Sequence, residues 1–434
     1  MTTTTTATPR PLPTLALTAD RTLIRQTGQS VRYLHVRVTA PSRALQASRP
    51  PVHVAFALDR SGSMAGRKIE LAKQAVSEAL GFLGATDRFA IITFDDFVER
   101  VTPATFATDV AIREARAQLQ RVDARGSTAL AEGWLTACGE IAAVHVPGDE
   151  SAPIARCFLL TDGQANIGET STPILAEHAR ELCRRGVRTV PFGLGDGYHD
   201  ELLQALSSAG GGNFYFVEAA PQIHDLFTSE LGEALEVTSR DVRLVLRTPG
   251  ATCEPLTTYA VEVSSDDRTV VRFGDLVSDQ VVDCVVKLTF ADGVLGSTVE
   301  AQAQLFAGPS ASADQARAAV VFNFADQRDS DRQPRERAVD HRVAEAYAAR
   351  ARWNAVMKNR AGDFQDAVRE LLGTAQKIRG YAHDDPALLV LADALVADAK
   401  TYAGPMAEME RKRSSAAASF ALKGRDTFGK ARKL

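Results

Sequence analysis

The chain has 434 residues, 45% of them apolar and 24% charged, which suits roughly two to four soluble domains with sizeable cores. Fifty Lys and Arg against 54 Asp and Glu leave a formal charge of −4, which argues against a general nucleic-acid binder. The five cysteines are widely spaced with no C-x-x-C, so buried thiols in a reducing compartment fit better than a disulfide framework or zinc. No Lys/Arg-led apolar segment opens the chain and no run approaches the ~18 apolar residues of a membrane span. These features predict a cytoplasmic, multidomain protein.

In chain order, residues 1–14 are Thr- and Pro-rich and read as a disordered leader. Residues 15–51 read as N-terminal strands plus a linker: the pattern is extended from Leu15 to Thr39, with period-two alternation where Leu34, Val36 and Val38 oppose Val31, Tyr33, His35 and Arg37, and 41–51 is the linker. From Val52 the texture changes. VHVAFAL, CFLLT and VRTVPFGLG are near-continuous apolar runs, as in strands buried on both faces of a parallel sheet. Helical periodicity separates them, with Ile69, Ala72, Val76, Ala79 and Leu83 as one stripe. Asp95 and Asp96 mark a hairpin turn. The pattern predicts a doubly wound α/β domain over 52–236.

Residues 237–330 return to strand-like runs broken by Gly, Pro, Asp or Ser. Two strand-rich flanks around an α/β unit predict one β-sandwich with the α/β domain inserted in it. Residues 331–410 become helical, with Asp385 and Pro386 as a helix start. Their apolar stripes read as core packing. The tail 411–434 carries eight Lys and Arg and one Asp, and reads as a solvated flexible end, with contact to acidic partners, membrane or nucleic acid as the alternative.

The chemistry concentrates at Asp59-Arg60-Ser61-Gly62-Ser63, directly after the strand VHVAFAL. Ligands of open α/β sheets bind at the carboxyl ends of strands. One carboxylate and two hydroxyls at i, i+2 and i+4 on a tight loop converge as hard oxygen donors, which select Mg²⁺, Ca²⁺ or Mn²⁺ over zinc. Thr128 in GSTAL and Asp162 in LLTDG sit where two further oxygens are needed. Without a cation, Asp59 and Asp162 at ~5 Å would repel by about 3 kcal/mol at an effective dielectric of 20.

In that order, D-R-S-G-S, G-S-T-A-L and L-L-T-D-G resemble a von Willebrand factor A domain with a complete metal-ion-dependent adhesion site. GLGDGYHDELLQALSSAGGGNFYFV at 193–217 resembles the closing part of bacterial members. The resemblance implies that Ser61 and Ser63 coordinate the metal directly and that Asp59 and Asp162 act largely through water. Thr128 would bind directly or through water, depending on conformational state. The flanks resemble bacterial A-domain proteins and, distantly, inter-alpha-trypsin inhibitor heavy chains.

Two carboxylates neutralise a divalent ion and leave positions for water, one of which an Asp or Glu of a partner would replace. The expected function is therefore a non-enzymatic, metal-dependent protein-binding module. A second expectation, from the family association of bacterial A domains with AAA-type ATPases, is an accessory subunit delivering clients to such a motor. A hydrolase would need a general base beside the metal, with Asp95 or Asp96 as the candidates. No P-loop, H-E-x-x-H or G-x-S-x-G is present, and His199 reads as a helix cap.

Overall fold

A computed structural model describes residues 12–43, 49–145, 152–162, 165–195, 197–218, 221–264, 267–308 and 314–433. Most of the expected leader, residues 44–48 of the linker, Gly163 of L-L-T-D-G and Asp196 of the 193–217 segment lie outside the described residues.

The first three strands are β1 (Thr14–Ala19), β2 (Leu23–Arg25) and β3 (Ser30–Thr39). In β3 the alternation turns Leu34, Val36 and Val38 fully inward. The α/β unit follows, with β4 (Val52–Asp59), α1 (Arg67–Ala79), β5 (Arg88–Phe94), β6 (Val98–Phe106), α2 (Asp109–Gln120) and α3 (Leu130–Val144). It continues through β7 (Ile154–Thr161), α4 (Thr172–Arg184), β8 (Val187–Leu194), α5 (Asp200–Ala209), β9 (Tyr215–Val217) and α6 (Pro221–Leu235).

These six strands form one sheet in the order β6-β5-β4-β7-β8-β9. All neighbours are parallel except the β5–β6 hairpin. Every residue of β4, β7 and β8 is buried, because helices cover both faces. Val54, Phe56 and Leu58 face α1 and α6, and the rings of Phe56, Phe158, Phe192 and Phe227 cluster there. On the other face, small Ala55 and Ala57 let α3 approach, and Trp134 donates its indole N–H to Thr189 Oγ1 at 3.1 Å.

The chain then runs β10 (Val237–Arg247), β11 (Ala251–Leu256), β12 (Ala260–Val263), β13 (Arg268–Val277), β14 (Val281–Phe290), β15 (Thr298–Phe306) and β16 (Asp314–Ala325). They close a sandwich with the N-terminal strands, as β1-β3-β14-β11 against β12-β13-β10-β15-β16-β2. β3 lies between β1 and β14, and β2 runs parallel to β16. The α/β domain is thus inserted in a β-sandwich that needs both flanks. Entry and exit of the insertion touch, since Arg43 Nη1 donates to Leu235 O at 2.8 Å. β11, with Pro255 inside it, had no strand signature and forms by pairing with β14.

The C-terminal helices are α7 (Gln327–Arg332), α8 (Arg337–Ala361), α9 (Phe364–Ala382), α10 (Pro386–Thr401) and α11 (Glu408–Leu422). Val339 and Val343 of α8 pack on the sandwich at Leu256 and Val285, and its later turns build a bundle with α9 and α10. Asp385 caps α10 through Ala387 N and Leu388 N. The solvated-tail expectation fails. α11 returns to the α/β domain, where Phe420 meets Tyr215 with ring centroids 5.8 Å apart. Lys412 and Lys423 are buried, donating to Tyr198 O and Gly212 O, and Arg425 pairs with Glu233 at 2.9 Å. Basic residues read as a solvated end instead meet carbonyls and carboxylates of the domain they cover. Among the described residues, no helix is long and apolar enough to cross a membrane.

Candidate metal site

β4 delivers Asp59 to the carboxyl edge of the sheet, and the chain turns at once through a 3₁₀ turn, Gly62–Met64. Asp59 is fully buried. Its Oδ1 accepts from Ser61 N at 2.8 Å and its Oδ2 from Thr161 Oγ1 at 2.5 Å. Ser61 Oγ lies 3.1 Å from Ser63 Oγ, and Ser63 Oγ donates to Asp162 Oδ1 at 2.7 Å. The side chains of Ser61, Ser63 and Asp162, with Asp59 joined through the Ser61 backbone N–H, therefore form one hydrogen-bonded chain at the ends of β4 and β7.

Burial pushes the Asp59 carboxyl up to about 6, against the hydrogen bonds from Thr161 and Ser61 and with the neighbouring charge of Asp162 adding to the rise. Such a carboxylate gains from a cation.

Thr128 is brought alongside by its loop. Gly62 N donates to Gly126 O at 3.0 Å, and Arg125 N donates to Arg60 O at 2.7 Å. Thr128 is buried, and its N–H donates to Asn166 Oδ1 at 2.9 Å. Gly126 has φ +68°, and a Cβ there would lie 2.4 Å from Asp96 Oδ2. Only glycine suits both demands.

Asp95 and Asp96 serve this scaffold. Asp95 Oδ2 accepts from Arg60 Nε at 3.0 Å and Arg125 Nε at 2.7 Å, and its Oδ1 accepts from Phe97 N at 2.8 Å. Burial works to raise the Asp95 carboxyl, but these bonds and the two arginine charges outweigh it and hold it below the usual range. Asp96 Oδ1 accepts from Ser127 N at 3.0 Å. Asp95, tied in this way, is poorly disposed to act as a base. His199 caps α5 by accepting from Leu202 N at 3.2 Å.

Arg60, Lys68, Thr161 and Asn166 also belong to this network, and no spacing in the sequence singles them out. Lys68 Nζ is hydrogen-bonded to Asp162 Oδ2. Arg60 and Asp95 are 35 residues apart, and no local pattern announces their pairing. Two carboxylates and three hydroxyls offer only hard oxygens, the donor set of Mg²⁺, Ca²⁺ or Mn²⁺, so the residues present fit such an ion.

Residues 53–229 match the family profile described as von Willebrand factor type A domain. An uncharacterized protein of Synechocystis is 26% identical over 376 residues, 83% of this chain and 86% of its own length. Inter-alpha-trypsin inhibitor heavy chain H4 of Sus scrofa is 31% identical over 134 residues, 30% of this chain and only 14% of that protein. Among solved structures, a von Willebrand factor type A protein from Catenulispora acidiphila superposes with TM-score 0.71 at 17% identity, covering 95% of this chain and 98% of its own. The ArnB paralog VWA2 from Sulfolobus acidocaldarius gives 0.62 at 16% identity, covering 97% and 100%. At these identities the two structures speak for the fold, extending over the flanks as well as the α/β unit. The apolar strands, the helices on both faces and the profile match converge: this chain carries a von Willebrand factor type A domain, a protein-interaction module that is often metal-dependent.

Proposed function

We propose that the chain is a non-enzymatic, intracellular binding module. Mg²⁺ held by Asp59, Ser61, Ser63, Thr128 and Asp162 would capture an acidic side chain of a protein partner. The observation that carries this reading is the continuous chain Asp59–Ser61–Ser63–Asp162, with Ser63 exposed at its outer side. The bound ion would supply an electrophilic centre whose water a carboxylate replaces. Asp59 and Asp162 bring charge to balance it, and Ser61 and Ser63 bring neutral donors, so the site as a whole does not repel an incoming anion. Arg60 and Asp95 hold the two loops in register. Exposed Phe97, on the turn fixed by Asp95, adds an apolar contact at the rim.

The test is capture from a lysate on the full chain, in Mg²⁺ and in EDTA, beside Asp59→Ala. Retention of a protein by wild type in Mg²⁺ alone supports the reading. Identical retention in all three conditions overturns it.

A further inference from the structure

At the edge of the sheet opposite Asp59, β7 and β8 begin against the sandwich, and a cleft of about 380 Å³ lies between the two units. Seven arginines and three carboxylates line it, in a chain whose formal charge is −4. At one wall, Asp275 accepts from Arg156 Nη2 at 2.9 Å and Arg188 Nη2 at 2.6 Å. All three side chains are at most 9% exposed, so one buried carboxylate faces two buried guanidiniums. Burial favours protonation of Asp275, but the charges of Arg188 and Arg156 outweigh it and hold the carboxyl far below its usual range.

From the sandwich, Arg243 Nη2 donates to Gly308 O at 3.2 Å. Its buried Nε makes no hydrogen bond, and its ion-pair contact to Asp241 is a long 3.5 Å. Arg272 pairs with Glu262 at 2.9 Å. At the mouth, Arg180 and Arg184 of α4 are largely exposed and pair with Glu177 and Glu181 of their own helix.

The backbone makes room for this charge. Gly186, Gly211 and Gly274 line the cleft with φ of +87°, +68° and +81°. A Cβ on Gly211 would stand 2.8 Å from Arg188 Nη1, and one on Gly274 2.5 Å from it.

Guanidinium forks match oxyanions in pairs, and a concavity dominated by one sign concentrates its field. The volume falls within the ~300–1,000 Å³ of small-molecule sites. We propose that this cleft binds a small polyanion carrying at least two oxyanion groups, phosphate or carboxylate, which bridges the A domain and the sandwich. Such a ligand at free concentration L stabilises the folded chain by RT ln(1 + L/Kd), so Tm rises with its concentration.

The full chain is titrated with sodium pyrophosphate and, separately, citrate, in metal-free buffer with ionic strength held constant by NaCl. Calorimetry and thermal melting are both read. Saturable binding of either anion with a rising Tm is expected, and the arm that binds assigns phosphate or carboxylate. The Arg243→Gln/Arg272→Gln pair should weaken it about tenfold. Arg184→Glu, exposed and free to fold, should weaken it several-fold. Asp59→Ala should leave it unchanged, which separates this site from the metal site. No saturable binding of either anion up to about 10 mM overturns the proposal, as does equal affinity in wild type and both arginine variants.

Discussion

Lys68 and Asp162 are joined across the metal site. Lys68 Nζ is bonded to Oδ2 of the carboxylate whose Oδ1 accepts from Ser63 Oγ at 2.7 Å. Lys68 stands at the start of α1 with its side chain 39% exposed, so it can swing to solvent. A tethered ammonium on Asp162 balances charge locally, and an arriving divalent ion has to displace it. Lys68→Met is expected to tighten Mn²⁺ or Mg²⁺ binding about threefold, the size of a partly exposed ion pair. Isothermal titration decides this, and an unchanged Kd would show that the ammonium does not compete.

Asp95→Asn should harm the site without removing a ligand. Arg60, only 7% exposed, loses its buried partner and keeps only the exposed Glu99, 2.8 Å from its Nη1, while Arg125 loses its bond to the same oxygen. Because Glu99 still offsets the Arg60 charge, the cost falls below that of an uncompensated buried charge, to about 1–2 kcal/mol. Chemical denaturation should register that loss, and metal titration at temperatures where the variant stays folded should show weaker binding. A variant as stable as wild type would mean that Glu99 alone suffices to hold Arg60.

Protons and metal compete for Asp59. With its carboxyl held up to about 6, metal binding must release a proton below that pH. The Kd for Mn²⁺ should rise about tenfold per pH unit as pH falls from 6 toward 4, and level off above 7. A flat profile across that range would remove Asp59 as the titrating ligand.

Lys423 lies fully buried, and burial, then the Arg425 charge, lowers its ammonium to about 7, with Glu230 opposing. Between pH 7 and the unfolded value of 10.5, the unfolded chain holds a proton that the folded chain has released. Stability should therefore rise with pH across that window. Lys423→Met should flatten the rise and add about 1 kcal/mol or more at pH 7, since an apolar isostere replaces a buried charge. Denaturation curves at several pH values test this, and a parallel pH dependence in both proteins would contradict it.

Much of the fold was legible in the residues themselves. Strands buried on both faces leave continuous apolar runs such as Val52–Leu58, and β3 leaves strict alternation. Both are properties of the chain within ten residues. Asp59, Ser61 and Ser63 were legible for the same reason, because one turn brings them together. Thr128 and Asp162 were found as members of a motif. β11 was missed because Pro255 obscures it and only its partner β14 makes it a strand.

Local sequence dictates where the apolar runs lie, which oxygen-bearing residues share a loop and which ends cap helices. These depend on covalent spacing and backbone propensity. Tertiary structure alone decided that Arg60 meets Asp95, that Lys68 sits on Asp162, and that the basic tail folds back onto the A domain. It also gathered the arginines of the cleft from α4, β7, β8, β10 and β13. Charges distant along the chain interact only after burial has fixed their separation and removed the water between them, and no local pattern records that distance.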